Sequence, residues 1–249
     1  MKQPHVVAIT QARLGSTRLP GKALMDIEGK TMLERVVERI QLAKHVDEVV
    51  VATTDNKRDD KVAEKAGEIG AGIFRGSEGD VLDRYYQAAK KFNADIVVRV
   101  TSDCPLADHK VIDEMVLQFE SESPPLDYLS NNIPPSFPHG IDVEVFSFSA
   151  LEKCWKEAKE PHQREHVTPF IREHPEVFKS KNFSAPENNS GYRFTVDFPE
   201  DLEFVREVYK RIGGDVFGYE QVLELLKEHP EISSINEQAK KKWNDPGVV

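Results

Sequence analysis

The sequence predicts an α/β fold, a mostly parallel sheet flanked by helices. Short apolar runs rich in β-branched residues alternate with segments of helical periodicity through residue 119. The first run, residues 5–10, reads as a strand buried on both faces. A loop dense in glycine, hydroxyl and cationic residues follows it, where ligands bind in open α/β sheets.

The elements follow in order. Residues 31–43 carry Met32, Leu33, Val36, Val37, Ile40 and Leu42 at helical spacing. Residues 48–54 form a second strand and 59–69 a second helix. A short strand about Ile73 and Phe74 precedes a helix over 80–92, then a strand over 95–100 and a helix over 110–119. Such repetition implies right-handed crossovers. After Glu120 the pattern changes, because residues 121–125 and 131–138 are rich in Pro, Ser and Asn. A short strand near Tyr128, a strand over 142–146 and helices over 149–157 and 164–173 make residues 121–185 an insertion or subdomain laid against the first half. Strand character returns at 193–196, then a helix over 199–211 opens with Pro and acids in its first turn. A last helix over 217–227 precedes a C-terminal tail, 230–249, polar and partly ordered from Glu237. The whole chain, 1–249, is expected to be one domain with that insertion.

Composition narrows the function. A formal net charge of −10 argues against a nucleic-acid binder, which needs a basic face. Local positive charge on that negative background fits a small anionic ligand. Two cysteines, Cys104 and Cys154, cannot build a disulfide framework or a cysteine-rich metal site. The N-terminus lacks a signal-peptide core and no apolar run spans a membrane, so a cytoplasmic protein is expected.

The loop over 11–22 carries Arg13, Gly15, Ser16, Arg18, Gly21 and Lys22. It is suited to a polyphosphate, with close backbone approach at the glycines and fixed cations around it. Walker A spacing fails, since five residues separate Gly15 from Gly21 and Ala23 follows Lys22. Two carboxylates stand at strand ends: Asp103 after Val97-Val98-Arg99-Val100, and Asp197 after Phe194-Thr195-Val196. An aspartate there is commonly a turn former or helix cap. Beside a phosphate loop the pair becomes a candidate Mg²⁺ site, which uses one or two carboxylates plus substrate phosphates.

The order Arg13-x-x-Ser16-x-Arg18-Leu19-Pro20-Gly21-Lys22 resembles the N-terminal signature of the sugar-acid cytidylyltransferases, the KDO and acylneuraminate enzymes, and most closely their spore coat polysaccharide biosynthesis protein F branch. Arg75-Gly76-Ser77, Asp80 to Arg84, Ser102 to Leu106, His139 to Glu144, Arg164 to Thr168 and Val196 to Leu202 support it in order. The resemblance implies a nucleotide-diphospho-sugar transferase fold, Rossmann-like, with an inserted α/β dimerisation subdomain and a homodimer. It implies transfer of CMP from CTP to the anomeric hydroxyl of a 2-keto-3-deoxy sugar acid. By that resemblance Arg13, Ser16, Arg18 and Lys22 bind the triphosphate, with Ser77, Asp83 and Arg84 at the nucleotide. Asp103 and Asp197 hold Mg²⁺, and His139, Glu165 and His166 lie near the sugar acid. Arg13, Lys22, Asp103 and Asp197 are the catalytic set.

Plainer readings stand beside several of these. His139, between Pro138 and Gly140, suits an exposed turn equally well. His162 and His166 are four apart without the glutamate of a zinc helix. Asp142-Val143-Glu144 reads as strand alternation more simply than as an acidic motif, and Cys104 as a packing residue. Asp80, Asp83 and Arg84 also suit a capped helix with a charged face. The KDO enzymes carry an aromatic where this chain has Asp142-Val143-Glu144, so the sugar end is less well matched than the nucleotide end. Two other functions stay open: a glycosyltransferase of related fold using a nucleotide-sugar, and a non-catalytic nucleotide-binding module.

Overall fold

The computed structural model describes residues 3–243. The elements in chain order are β1 (Val6–Gln11), a two-strand hairpin of β2 (Asp26–Ile27) and β3 (Lys30–Thr31), α1 (Met32–Gln41), β4 (Glu48–Thr54), α2 (Asp60–Glu68) and β5 (Gly72–Gly76). There follow α3 (Val81–Lys91), β6 (Ile96–Arg99), α4 (His109–Ser121), β7 (Tyr128–Ser130), β8 (Glu144–Ser147), α5 (Phe148–Glu157), α6 (Pro161–His166) and α7 (Pro169–Glu173). The last are β9 (Ser180–Asn182), α8 (Pro199–Ile212), α9 (Tyr219–Glu228), α10 (Pro230–Ser234) and α11 (Glu237–Trp243). Helix starts follow local chemistry: Thr31 and Glu34 form a capping box on α1, and Asp80 and Asp108 cap α3 and α4.

Seven strands form one sheet in the order β5-β4-β1-β6-β8-β7-β9. β5, β4, β1 and β6 run parallel, β8 is antiparallel to β6 and to β7, and β9 is parallel to β7. Both faces are covered, which is why the central strands read as unbroken apolar runs. Val6 and Ala8 join the core that includes residues of α1, α4, α8 and α9, whereas Val7 and Ile9 join the one formed with α3 and α5. The chain winds outward from β1 through β4 to β5, then returns to place β6 on the other side of β1. The strand order therefore reverses between β1 and β6, and a crevice opens beyond their carboxyl ends.

Two sequence expectations are corrected. Residues 193–196 form no strand: His139 and Arg193 make an isolated bridge, and Val196 N–H donates to Asp103 O at 2.8 Å. Their partners are loop backbones, so no ladder propagates. Gly140 makes that approach possible, since its φ is +110° and a Cβ there would lie 2.5 Å from Thr195 N. Residues 164–173, expected as one helix, are split between α6 and α7, because Val167 has a φ of 73° and Pro169 opens the second. The partly ordered tail expected from Glu237 contains α11; its remainder, 244–249, lies outside the described residues.

A buried polar cluster joins the antiparallel half to the parallel half. Glu144 on β8 faces Arg99 on β6 across the strand pair, and the two form a salt bridge. Glu144 also accepts hydrogen bonds from Tyr128 Oη at 2.5 Å and Thr168 Oγ1 at 2.6 Å. Burial alone would raise the Glu144 carboxyl, but Arg99 and the two hydroxyls outweigh it and hold it below the ordinary range. Burial, followed by the Glu144 charge, pushes the Tyr128 phenol well up.

The depressed Glu144 contributes stability that is full above about pH 4.3 and is lost as pH falls through its folded-state value; the raised Tyr128 contributes below about pH 10 and loses that contribution as pH rises through its own. Glu144→Gln leaves the Arg99 guanidinium buried without a counter-charge. We expect it to cost about 3–5 kcal/mol at neutral pH and to flatten the acid limb of stability against pH. Urea unfolding across the acid range checks this; an acid limb as steep as wild type contradicts it.

Candidate active site

The loop after β1 is anchored before it reaches any ligand. Leu14 N–H donates to Asp59 Oδ1 at 2.8 Å, and the buried Asp59 is itself held by the Thr54 hydroxyl at the end of β4. Gly21, with a φ of 76°, turns the chain back so that its N–H donates to Leu14 O at 3.0 Å. The loop's side chains are thereby directed into a cleft of about 520 Å³ at the carboxyl ends of β1 and β6. Arg13, Ser16, Arg18, Lys22, Arg84, Asp103, Glu165, His166 and Asp197 all line it, from five separate stretches of chain.

At its floor Lys22 Nζ lies 3.0 Å from both Asp103 Oδ2 and Asp197 Oδ1, and 2.7 Å from Val196 O. Arg18 Nη2 reaches the same Asp197 oxygen at 2.9 Å. Burial lowers the Lys22 pKa, but the two carboxylates more than offset it and the net shift is upward. Burial raises both aspartates, and Lys22 outweighs it, so each ends below the ordinary carboxylate range. Thr101 Oγ1 adds a 2.5 Å hydrogen bond to Asp103 Oδ1. Two ionised carboxylates converging on one cation are oxygen donors of the kind Mg²⁺ takes alongside phosphate, so the residues present fit that ion.

Asp197 is fixed from behind by Arg193, which sequence reasoning did not single out. Arg193 Nη2 donates to Asp197 Oδ2 at 2.9 Å, and its Nε and Nη2 donate to the two oxygens of Asp201 at 2.9 and 3.0 Å. Asp201 Oδ2 also accepts the backbone N–H groups of Asp197 and Phe198 at 3.0 Å, capping α8. The third arm, Arg193 Nη1, lies 3.1 Å from His139 Nδ1. Arginine only donates, so this Nδ1 accepts and the imidazole proton sits on Nε2. The only sequence signal for Arg193 was its place four residues before Asp197, outside any helix.

The predicted residues separate into groups. Arg13 lines the cleft and pairs with Glu78 at 3.4 Å. Arg84 is 1 % exposed, and among the described residues its Nε has no hydrogen-bond partner. Burial, and secondarily Arg13, lowers its pKa. Arg84 nonetheless lines the cleft and brings it a cation. Asp83, expected at the nucleotide, instead accepts from Trp155 Nε1 at 2.8 Å and Gln87 Nε2 at 3.1 Å, outside the cleft lining. Its position in the first turn of α3 turns it toward α5. Ser77, just past β5, is likewise not among the lining residues.

His139 does not share a cavity with Glu165 and His166. It lines an adjoining pocket of about 400 Å³ with Asp142, Arg172, Tyr192 and Arg193. The burial of Asp142 raises its carboxyl, and its Oδ2 accepts from Gly140 N–H at 2.7 Å. His162 pairs with Glu173 at 2.7 Å while His166 lines the cleft, and no cluster of three or more metal-ligating side chains occurs among the described residues. Cys104 is buried, and burial followed by the Asp103 and Asp142 charges pushes its thiol well up, away from thiolate chemistry.

The Cytidylyltransferase family pattern matches residues 7–232. The spore coat polysaccharide biosynthesis protein SpsF of Bacillus subtilis is 32% identical over 241 residues, covering 93% of this chain and 98% of that protein. The 3-deoxy-manno-octulosonate cytidylyltransferase of Geobacter sulfurreducens is 40% identical over 114 residues, covering 45% of this chain and 44% of that protein. A cytidylyltransferase from Leptospira borgpetersenii superposes with a TM-score of 0.90 at 38% identity, covering 93% of this chain and 97% of that one. The matched span contains the loop after β1, both aspartates and Arg193, and with it the chain belongs to the cytidylyltransferase family.

Proposed function

We propose that the protein transfers CMP from CTP to the anomeric hydroxyl of a 2-keto-3-deoxy sugar acid, releasing pyrophosphate, in surface polysaccharide synthesis. The observation that carries this reading is the convergence of Lys22 and Arg18 on Asp103 and Asp197, brought together from sites up to 179 residues apart. Such a site matches the charge that develops when an oxygen attacks the α-phosphorus and pyrophosphate departs. The acceptor class rests on the motif resemblance and on the named relatives.

In this reading Arg13, Arg18 and Lys22 bind the triphosphate oxygens and stabilise their growing charge, with Ser16 as a further donor. Arg84 supplies positive charge beside the nucleotide. Asp103 and Asp197 would hold Mg²⁺, which when bound neutralises phosphate charge and polarises the reacting phosphoryl group. His139, with its proton on Nε2, donates toward an acceptor in the adjoining pocket, and Glu165 and His166, at the C-terminal end of α6, stand on the cleft wall toward the sugar acid. The work is positioning and electrostatics, and no covalent enzyme intermediate is required. The same reading carries a homodimer, which sedimentation tests; a monomer at micromolar concentration removes that part of it.

The decisive assay supplies each nucleoside triphosphate with Mg²⁺ and a panel of 2-keto-3-deoxy sugar acids, and detects pyrophosphate. CTP-dependent release with at least one acid is expected. Its absence with every acid, or turnover of a CMP-, UDP- or GDP-sugar instead, defeats the proposal. In the active pair, Lys22→Met and Asp103→Asn should each lower kcat about 10²–10³-fold. Asp103→Asn keeps the side chain's shape and one acceptor oxygen, and Lys22 retains Asp197 and Val196 O, so its Tm should move by no more than about 4 °C. Parallel loss of Tm and turnover would assign Asp103 a structural role.

A further inference from the structure

Helix α11 lies beyond the residues matched by the family pattern, which end at 232, yet it reaches the site. It is tied down by Lys240 Nζ donating to Gly191 O at 2.6 Å and by Lys242 Nζ to Glu200 Oε1 at 2.6 Å. Just ahead of it, Asn236 Nδ2 donates to Arg193 O at 2.9 Å. These bonds set Trp243 with its ring 5.1 Å from the Arg18 guanidinium, 5.1 Å from that of Arg193 and 5.1 Å from the His139 ring. Phe198 offers a second aromatic face to the same arginines, at 5.7 Å from Arg18 and 5.9 Å from Arg193. Trp243 borders both the triphosphate cleft and the pocket of His139.

We propose that Trp243 is a positioning residue of this site, forming with Phe198 an aromatic cradle that seats Arg18 for the triphosphate. The proposal rests on the reading of the cleft as a CTP site. Arg18 shares Asp197 Oδ1 with Lys22, so its single carboxylate bond is a contested one. A cation held over aromatic faces spends none of its N–H groups. The cradle therefore restrains the guanidinium while leaving donors for phosphate oxygens. Trp243 acts through Arg18, and its loss should be felt only where Arg18 is present.

Calorimetric titration of Mg·CTP into wild type, Trp243→Ala, Trp243→Phe, Arg18→Ala and the Arg18→Ala/Trp243→Ala double variant tests this. Trp243→Ala should weaken binding about 3- to 30-fold, and Trp243→Phe should recover most of that loss. In the Arg18→Ala background the same substitution should change affinity less than about twofold, since residues acting as a unit are not additive. Unchanged affinity in Trp243→Ala, or a fully additive loss in the double variant, overturns the proposal alone. Wild type that fails to bind Mg·CTP overturns the reading of the cleft and this proposal with it. Should Trp243→Ala fail to fold, Trp155→Phe leaves Trp243 as the sole tryptophan of the two in the chain. Its emission should then change on adding Mg·CTP, and emission that stays constant through saturation overturns the proposal.

Discussion

Asp197 is a carboxylate with a 5 % exposed side chain, and everything about the site follows from keeping it ionised there. One oxygen is held by Arg193 from inside the protein, the other by Lys22 and Arg18 from the loop after β1. Removing a charge from water is costly unless partners surround it. Here the partners come from the loop after β1 and from the stretch ahead of α8, so compensating one aspartate ties the loop to the start of α8, while backbone bonds between His139 and residues 192–195 seat the His139 segment beside them.

The sheet makes that meeting possible. Because β6 is placed on the opposite side of β1 from β4, the loops leaving β1 and β6 diverge and leave room between them. The antiparallel strands β8 and β7 extend the sheet past β6 and carry the His139 segment to the crevice, with the Arg99–Glu144 pair locking the join. Gly140 then lets that segment approach residues 193–195 closely enough for backbone bonding.

Much of this was legible in the sequence where the signal was local. β4 falls on residues 48–54 as read, and α1, α3 and α8 differ from expectation by a residue or two at their ends, because apolar periodicity and capping residues are written in adjacent positions. That the loop over 11–22 and the two aspartates meet at one end of the sheet was legible too, since strand–loop–helix order places such loops there. What was not legible depends on long-range pairing. The apolar run at 193–196 looks like a strand, but strandedness depends on what lies beside it, and its neighbours are loops. Arg193 carried no pattern of its own, and Asp83 could not be told from Arg84 until α3 was rotated against α5. Trp243 sits in a polar stretch whose helix gains its meaning only from the surface it covers.

The charges at the floor of the cleft also set a condition on what the protein can bind. Asp103, Asp197 and Asp201 face Lys22, Arg18 and Arg193, three negative groups against three positive ones, so this cluster is neutral as it stands. A nucleoside triphosphate brings several negative charges into a chain whose formal net charge is already −10. The neutral floor has no surplus to absorb them, which leaves Arg13, shared with Glu78, and the buried Arg84 as the further cations of the cleft lining. Under the proposed function, nucleotide and divalent cation would then be thermodynamically linked ligands, each raising the affinity for the other by the same factor. On that reading, occupancy of the cleft would follow the concentration of the metal-bound nucleotide, with free nucleotide a poor competitor.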